Sequence, residues 1–220
     1  MWGGVFFVSL VSLRAQPPLL VAEPKPGARW QVEIHEPRSH TKTARLLGKE
    51  ENVLGEGVRK QTVSMVGSAP VTRYATAGLV LSYDPVTNEP VIETPFQEMP
   101  GGSLGLQAFP ELAWVDLRWR VEDQSVEGRE CDVYQAPWPP PAAKESPGNS
   151  RPSQAGSRFA VAYINKSSRL PVLYEDPLGV RKYTFLADQA SLTLPADLLK
   201  AIKEREAAIR LRKQRFNIPQ

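Results

Sequence analysis

The stretch WQVEIH at residues 30–35 alternates apolar and polar side chains one by one. Successive side chains of an extended strand point to opposite faces of a sheet, so this period of two predicts a strand that buries Trp30, Val32 and Ile34. The same alternation returns later in the chain, each time with an aromatic residue in the set that we expect to point inward. The two clearest repeats place Leu117, Trp119 and Val121, and Phe159, Val161 and Tyr163, on a buried face.

Further strands are predicted between these stretches, and the connections between them are short. Segments such as 84–88, 127–128 and 176–179 are rich in Asp, Pro, Asn and Gly, which favour turns. Loops of this length join antiparallel neighbours, because a parallel crossover needs a dozen or more residues. The sequence therefore predicts a mainly β domain, an antiparallel unclosed half-barrel or strongly curved sheet. The additional strands are expected at 59–66, 71–76, 78–83, 128–135, 170–174, 181–186 and 191–194.

Two segments do not fit this succession of strands. Residues 137–157 are rich in Pro, Ser and Gly and are predicted to form a mobile surface loop inside the domain, since strand patterning resumes at Phe159. Residues 37–57 are polar, with a possible helical turn at 43–47, and the pattern does not assign them. We expect residues 23–195 to form one domain around these segments.

The end of the chain is predicted to be helical. Residues 195–216 are rich in Ala, Leu, Lys, Arg and Glu, and Pro195 suits the start of a helix. The resulting basic C-terminal segment spans residues 196–220. Its final turns suggest contact with an anionic membrane surface or an acidic partner, and the alternative is a solvated helix end. The cations concerned are Arg210, Arg212, Lys213 and Arg215.

The beginning of the chain resembles an export signal. Residues 5–13 read VFFVSLVSL, an apolar run too short to span a bilayer and followed by a Pro-rich stretch. We therefore expect residues 1–22 to be a signal peptide and leader, with a mature protein that is soluble in the periplasm or cell envelope. The alternatives are an N-terminal segment docked on the core and a start codon assigned too far downstream.

Composition and charge narrow the classes of function. A chain of 220 residues with 41% hydrophobic side chains can form one sizeable core. Residues 196–220 hold seven Lys and Arg against three acids, whereas the whole chain carries a net charge of +3. The remainder is therefore close to neutral, which argues against a broad basic face for nucleic acid.

Few residues point to catalysis. The pentapeptide at 101–105 has the G-x-S-x-G form of a hydrolase nucleophile elbow around Ser103, but a poor helix start follows it and both histidines precede it. His35 and His40 alone are too few for a metal site. We predict no catalytic residue, no metal and no cofactor, and keep a serine hydrolase using Ser103 as a minor alternative.

Cys131 and Asn165 each suggest a role other than catalysis. Cys131 is the only cysteine, which excludes an internal disulfide, and we expect it to be a small buried apolar residue pointing inward beside Val133. Asn165 begins a formal glycosylation sequon in a predicted hairpin turn, which matters only in a host that glycosylates exported proteins.

The second half of the chain resembles a known superfamily over roughly residues 115–200. The resemblance lies in the strand rhythm of residues 126–134, 160–164, 170–172, 179, 183–185 and 192–195. This rhythm is similar to that of the bacterial periplasmic lipoprotein-carrier superfamily, which includes lipoprotein carriers, outer-membrane lipoprotein receptors and an envelope-stress sensor. The resemblance implies an unclosed antiparallel barrel around helices, with a concave apolar face that holds acyl chains.

These observations together predict an exported, non-catalytic binding protein for a lipid, an acyl chain or a lipoprotein. The alternative is a structural or interaction module of the cell envelope, in which the same apolar residues only fill a solid core. The oligomeric state is left open. The residues expected to line the ligand site are Trp30, Val32, Trp114, Leu117, Trp119, Val121, Phe159, Val161, Tyr163, Tyr183 and Phe185.

Overall fold

The fold is an eleven-stranded antiparallel sheet with one α-helix after it. The computed structural model describes residues 20–38, 44–76, 79–84, 86–87, 89–93, 107–140, 158–187 and 190–215. The only α-helix in these ranges is α1, Ala196–Arg215. The strands are β1 (Arg29–His35), β2 (Leu46–Leu54), β3 (Val58–Met65), β4 (Val71–Thr76), β5 (Val80–Tyr83), β6 (Pro90–Glu93), β7 (Arg120–Val126), β8 (Arg129–Pro137), β9 (Phe159–Asn165), β10 (Pro171–Asp176) and β11 (Gly179–Leu186).

The sheet consists of two meanders joined by its first and last strands. Its order is β6-β5-β4-β3-β2-β1-β11-β10-β9-β8-β7. At the join, Arg29 pairs with Leu186 and His35 with Val180. Strands β6 and β7 lie at opposite edges and do not pair with each other, so the sheet is unclosed. The predicted fold class, a mainly β antiparallel unclosed sheet with one C-terminal helix, is confirmed.

Most predicted strands are present, with four differences. Strand β2 falls in the unassigned segment 37–57, and β6 was not predicted. Residues 191–194 have no regular structure. The prediction that residues 117–121 form one strand is wrong, because Leu117–Trp119 is a 3-10 turn capped by the Asp116 side chain, and β7 begins at Arg120.

The two faces of the sheet are distinguished by the side on which Trp30 lies, which we call the inner face. Over the second meander and β1, inner-face side chains form the larger core. Residues 107–119, between β6 and β7, cover these side chains, and we call them the inner segment. The inner segment includes a 3-10 turn at Pro110–Leu112. The buried members of this inner core are Trp30, Val32, Ala108, Phe109, Leu112, Trp114, Tyr134, Ala136, Ala160, Ala162, Ile164, Tyr174 and Tyr183.

The first meander buries its opposite, outer face. Val58, Tyr74 and Leu81 project from the side of the sheet opposite to Trp30, as the strand pairing requires, and they form a second core with Leu198 of α1. Ile202 packs against the same cluster. The C-terminal helix is therefore held by the outer face, where it covers the first meander.

Strand β9 has the opposite phase from the one predicted. Ala160, Ala162 and Ile164 face the inner core, so Phe159, Val161 and Tyr163 lie on the outer face. Both sets are apolar, and small alanines fit the inner side because large aromatic residues such as Trp30 and Tyr134 already fill it. Cys131 is buried as predicted, but strand pairing with Asn165 puts it on the outer face, opposite to Tyr134.

Candidate functional site

The inner core is filled by aromatic side chains. The ring of Phe109, on the inner segment, packs edge-on against Trp30 at 5.8 Å, Tyr183 at 5.8 Å and Phe185 at 6.0 Å between centroids. Trp30 also stacks on Phe185 at 6.2 Å. The inner segment thus occupies the space in front of the sheet that an unclosed barrel would otherwise leave open.

Two polar contacts hold the inner segment in place. Arg59 of β3 is buried, and its Nη1 donates to the carbonyl oxygens of Gln107 and Ala108. The phenol of Tyr183 donates to the carboxylate of Glu111, and burial together with that carboxylate raises the pKa of Tyr183 well above its usual value. Both contacts satisfy groups that would be costly to bury alone.

An apolar groove lies where the inner segment meets the residues that precede β1. It has a volume of about 550 Å³, within the range of roughly 300–1,000 Å³ typical of small-molecule sites. Phe109, Leu112 and Val115 recur at a spacing of three along the inner segment and contribute one wall. The apolar lining comprises Leu20, Val21, Phe109, Leu112, Ala113, Val115 and Leu117.

The second wall of the groove is fastened by Arg169. Its Nε and Nη2 donate to the carbonyl oxygen of Leu20 at 3.1 and 2.7 Å, and Ala22 N donates to the Arg169 carbonyl at 2.8 Å. Arg169 Nη1 lies 2.5 Å from Asp132 Oδ2, and Nη2 is 3.1 Å from the Tyr134 hydroxyl. Leu20 and Val21 are therefore tied to the inner core.

The rim of the groove is polar and partly acidic. Glu23, Gln107 and Asp116 lie at its border. The Asp116 carboxylate accepts hydrogen bonds from the backbone N–H of Arg118 and from its guanidinium. These bonds, the backbone one foremost, lower the pKa of the Asp116 carboxyl. Such a site combines an apolar floor with a few polar groups at its opening, which is the usual composition of a binding groove and offers no nucleophile paired with a base.

The predicted ligand-lining residues do not form one site. Trp30, Val32, Trp114 and Tyr183 are buried in the inner core, where Trp119 and Phe185 pack against them, and none of these six lines the groove. Leu117 does line it and is 66% exposed. The prediction that Val121 is buried is wrong, because it lies beside a bulge of the edge strand β7 and is 58% exposed.

Phe159 and Val161 line a different hollow on the outer face, with a volume of about 410 Å³. Arg38 Nη2 lies 3.0 Å from Glu175 Oε1 there. Burial raises the pKa of Glu175, and the charge of Arg38 opposes that shift. Tyr163, on the same face, is half-buried, and Phe159 is 41% exposed, so the predicted inward position of these β9 side chains is wrong.

The remaining candidates fall in two groups. Arg210, Arg212 and Arg215 are exposed on α1, and Lys213 belongs to the same helix. Ser103, His40, residues 1–19 of the predicted leader and residues 141–157 of the predicted loop lie outside the described residues. His35 Nε2 is 3.3 Å from Glu33 Oε2. Among the described residues, no three His, Cys, Asp or Glu side chains are grouped so as to hold a metal ion.

Sequence reasoning missed the groove because its two walls come from distant parts of the chain. The sequence places Leu20 and Val21 in a leader, and it offers residues 107–110 only as a poor helix start after Ser103. The spacing of three between Phe109, Leu112 and Val115 is the signal that could have indicated an apolar face on a 3-10 turn.

The fold and groove define a class, an unclosed antiparallel β domain with an apolar surface groove. No model of a known protein family matches the chain, and no curated protein matches it significantly. No helix within the described ranges has the length and apolar character needed to cross a bilayer.

Proposed function

We propose that this protein is an exported, non-catalytic binding protein whose groove takes an acyl chain of a lipid or of a lipid-modified partner. The observation that carries the proposal is the apolar lining of a groove of about 550 Å³ that opens beside the inner core. Seven apolar side chains line it, and three polar residues lie at its rim. An acyl chain matches this distribution because it needs no polar partner along its length.

The affinity expected from such a groove is modest. Burial of methylene groups contributes about 0.8 kcal/mol each, so ten of them contribute about 8 kcal/mol before the cost of association is subtracted. We therefore expect dissociation constants in the micromolar range or weaker. This range suits a protein that takes up and releases its ligand.

The resemblance to the lipoprotein-carrier superfamily supports the proposal through the unclosed antiparallel sheet that its members share. One difference shifts the binding site. In that superfamily the sheet wraps helices and an apolar cavity, whereas here residues 107–119 cover the inner face and α1 packs on the outer face. The groove beside Leu20 and Leu117 is therefore the proposed site, in place of the interior behind Trp30.

Export is part of the proposal and is supported by the apolar run at residues 5–13. The N-terminal sequence of the protein recovered from the cell envelope of its host tests it. Because Leu20 and Val21 line the groove, a mature chain that begins after this run and no later than Leu20 is expected. Recovery of the whole chain from the cytoplasm would contradict export.

A second candidate function is an interaction module without a ligand, because the inner core is filled by Phe109, Trp30 and Tyr183. The two functions are distinguished by titrating the purified protein with a fluorescent fatty acid. Saturable binding is expected under the first. Its absence at probe concentrations of several hundred micromolar would reject the groove as an acyl site and favour the second.

Variants test whether the probe binds in the groove. Ala113→Trp should fill it from an exposed position, and Leu117→Glu should place a charge on its wall; each is expected to weaken binding by about tenfold or more. Leu178→Glu is the matched control, because Leu178 is 72% exposed on the β10–β11 turn. Equal effects of all three variants would contradict the proposed site.

A further inference from the structure

The N-terminal part of helix α1 packs on the sheet, and the rest of the helix is exposed to solvent. Leu198 and Ala201 are buried and Ile202 packs on the outer-face core. From residue 203 to residue 215, every described side chain except Arg205 is exposed. These thirteen residues, which we call the helix extension, span about 20 Å at 1.5 Å per residue. A polar helix of this length is marginal in water without a partner.

The helix extension is strongly cationic. It contains six Lys and Arg and two Glu, a net charge of +4, whereas the whole chain carries +3. Glu204 lies 4.0 Å from Lys200, which is on the packed part of the helix. Arg210, Arg212 and Arg215 make no ion pair with any other residue that the structure describes. The charges of these three arginines are therefore not neutralised within the described fold.

We propose that the helix extension binds the surface of an anionic lipid bilayer. Arg212 and Arg215 lie about 60° apart around the helix at about 100° per residue, so one side of the helix presents both cations. A planar bilayer contacts one side of a helix, and its mobile headgroups need no fixed arrangement, whereas a folded acidic protein would need its carboxylates arranged to match these arginines. Anionic headgroups attract each nearby Lys or Arg independently.

One exposed apolar residue fits the same partner. Ile209 is 46% exposed and precedes Arg212 by three residues, so it lies on the same side of the helix as Arg212 and Arg215. At a bilayer interface such a side chain reaches the acyl boundary, while the long stems of arginine lie along apolar surface and keep the guanidinium among the headgroups. The extension would hold the sheet at the membrane surface by charge, with only a small apolar contribution. The inference is independent of whether the groove binds an acyl chain.

Co-sedimentation with vesicles tests the inference on the full chain. The protein is expected to bind phosphatidylcholine vesicles that contain phosphatidylglycerol, and not pure phosphatidylcholine vesicles. The triple substitution Arg210→Gln, Arg212→Gln and Arg215→Gln should lower the partition coefficient on the order of a hundredfold. Raising the salt to about 0.5 M should release the parent protein, because the Debye length then falls to a few ångströms.

A charge-matched triple variant is the control. Arg45→Gln, Arg73→Gln and Arg129→Gln remove the same net charge from exposed arginines on the sheet and its loops. This control should bind anionic vesicles nearly as well as the parent. Equal loss in both triples, or binding to poly-glutamate without binding to vesicles, would overturn the inference. Acyl-probe binding by the helix triple variant should be unchanged, which separates this result from a failure of the groove.

Discussion

The two meanders of this sheet carry their main hydrophobic cores on opposite faces. In the second meander, the inner-face residues Tyr134, Ala162 and Tyr174 pack against the inner segment. In the first, Val58 and Leu81 lie on the outer face, covered by α1. The sheet continues without a break from β11 through β1 to β2, so the core changes face within one continuous sheet. Alternation along a strand therefore predicts an extended backbone, whereas the segment that packs on the sheet determines which face carries the hydrophobic core.

The inner-face side chains of the two meanders differ in polarity. On the inner face of the first meander, Gln61 Nε2 donates to Glu50 Oε2 at 2.9 Å, and the buried side chains include Asn52 and Arg59. These polar side chains adjoin the end of the inner segment that Arg59 holds. The apolar groove lies where the inner segment meets Leu20, whose carbonyl oxygen accepts from Arg169 of the second meander. A single connecting segment thus contacts both the polar inner face of the first meander and the apolar groove.

The largest expected effect comes from the inner core. Trp30→Ala removes a buried ring that contacts Phe109 and Phe185, and should lower the free energy of unfolding by about 3–5 kcal/mol. Urea unfolding followed by fluorescence measures it. Val86→Ala, at an 89% exposed position, is the control and should change stability by less than about 0.5 kcal/mol. A small effect of Trp30→Ala would contradict the inner core as the main source of stability.

The outer-face core should give a somewhat smaller effect. Leu198→Ala leaves a cavity between α1 and the first meander and should cost about 2–4 kcal/mol. Leu199→Ala, on the exposed neighbouring position of the same helix, should cost much less. If unfolding of the Leu198 variant follows one transition by both circular dichroism and fluorescence, the two cores form one cooperative unit. Separate transitions would mean that the two meanders unfold independently.

The smallest effect concerns the ion pair network that fastens the groove wall. Burial raises the pKa of Asp132, but hydrogen bonds from Arg169 and Arg120 outweigh burial, so the net effect lowers the pKa of this carboxyl. A lowered pKa contributes stability that is complete above the unfolded value of about 3.9 and is lost as the pH falls through the lower folded value. Asp132→Asn should therefore cost about 1–2 kcal/mol at pH 7.

The pH dependence checks that assignment. Urea titrations of the parent and of Asp132→Asn should differ at pH 7 and converge as the pH falls below about 3. Glu122→Gln is the control, because Glu122 is exposed on β7 and should leave the unfolding midpoint unchanged at both pH values. A difference between parent and Asp132→Asn that persists at low pH would mean that the carboxylate charge does not stabilise the fold.

Local patterning in the sequence was sufficient to predict the fold class but not the site. Strand β1 was predicted because its polar and apolar sets differ, as Gln31 and Glu33 beside Trp30 and Val32 illustrate. Strand β9 is apolar on both sides, so its phase depends on the size of what covers it, and that information lies in Phe109 and Trp114. Strand β2 was missed because charged residues such as Glu50 lie on the polar inner face of the first meander.

The groove depends on pairings that no local pattern contains. Its walls meet because the guanidinium of Arg169 binds the carbonyl oxygen of Leu20, which is 149 positions away in the sequence. Asp132, which forms an ion pair with Arg169, comes from a third part of the chain. Each of these residues alone reads as an ordinary surface charge, and only the folded sheet brings them together.

The join between β1 and β11 also sets the order in which this protein can acquire its structure. Strand β1 pairs with β2 on one side and with β11 on the other, where Arg29 is opposite Leu186. The second edge of β1 therefore has no partner until β11 has been synthesised. Contacts so distant in sequence form slowly, and an unpaired strand edge invites pairing with other molecules. During this interval the newly made chain is most exposed to aggregation, and a cell that produces it gains from a chaperone that shields β1 until β11 arrives.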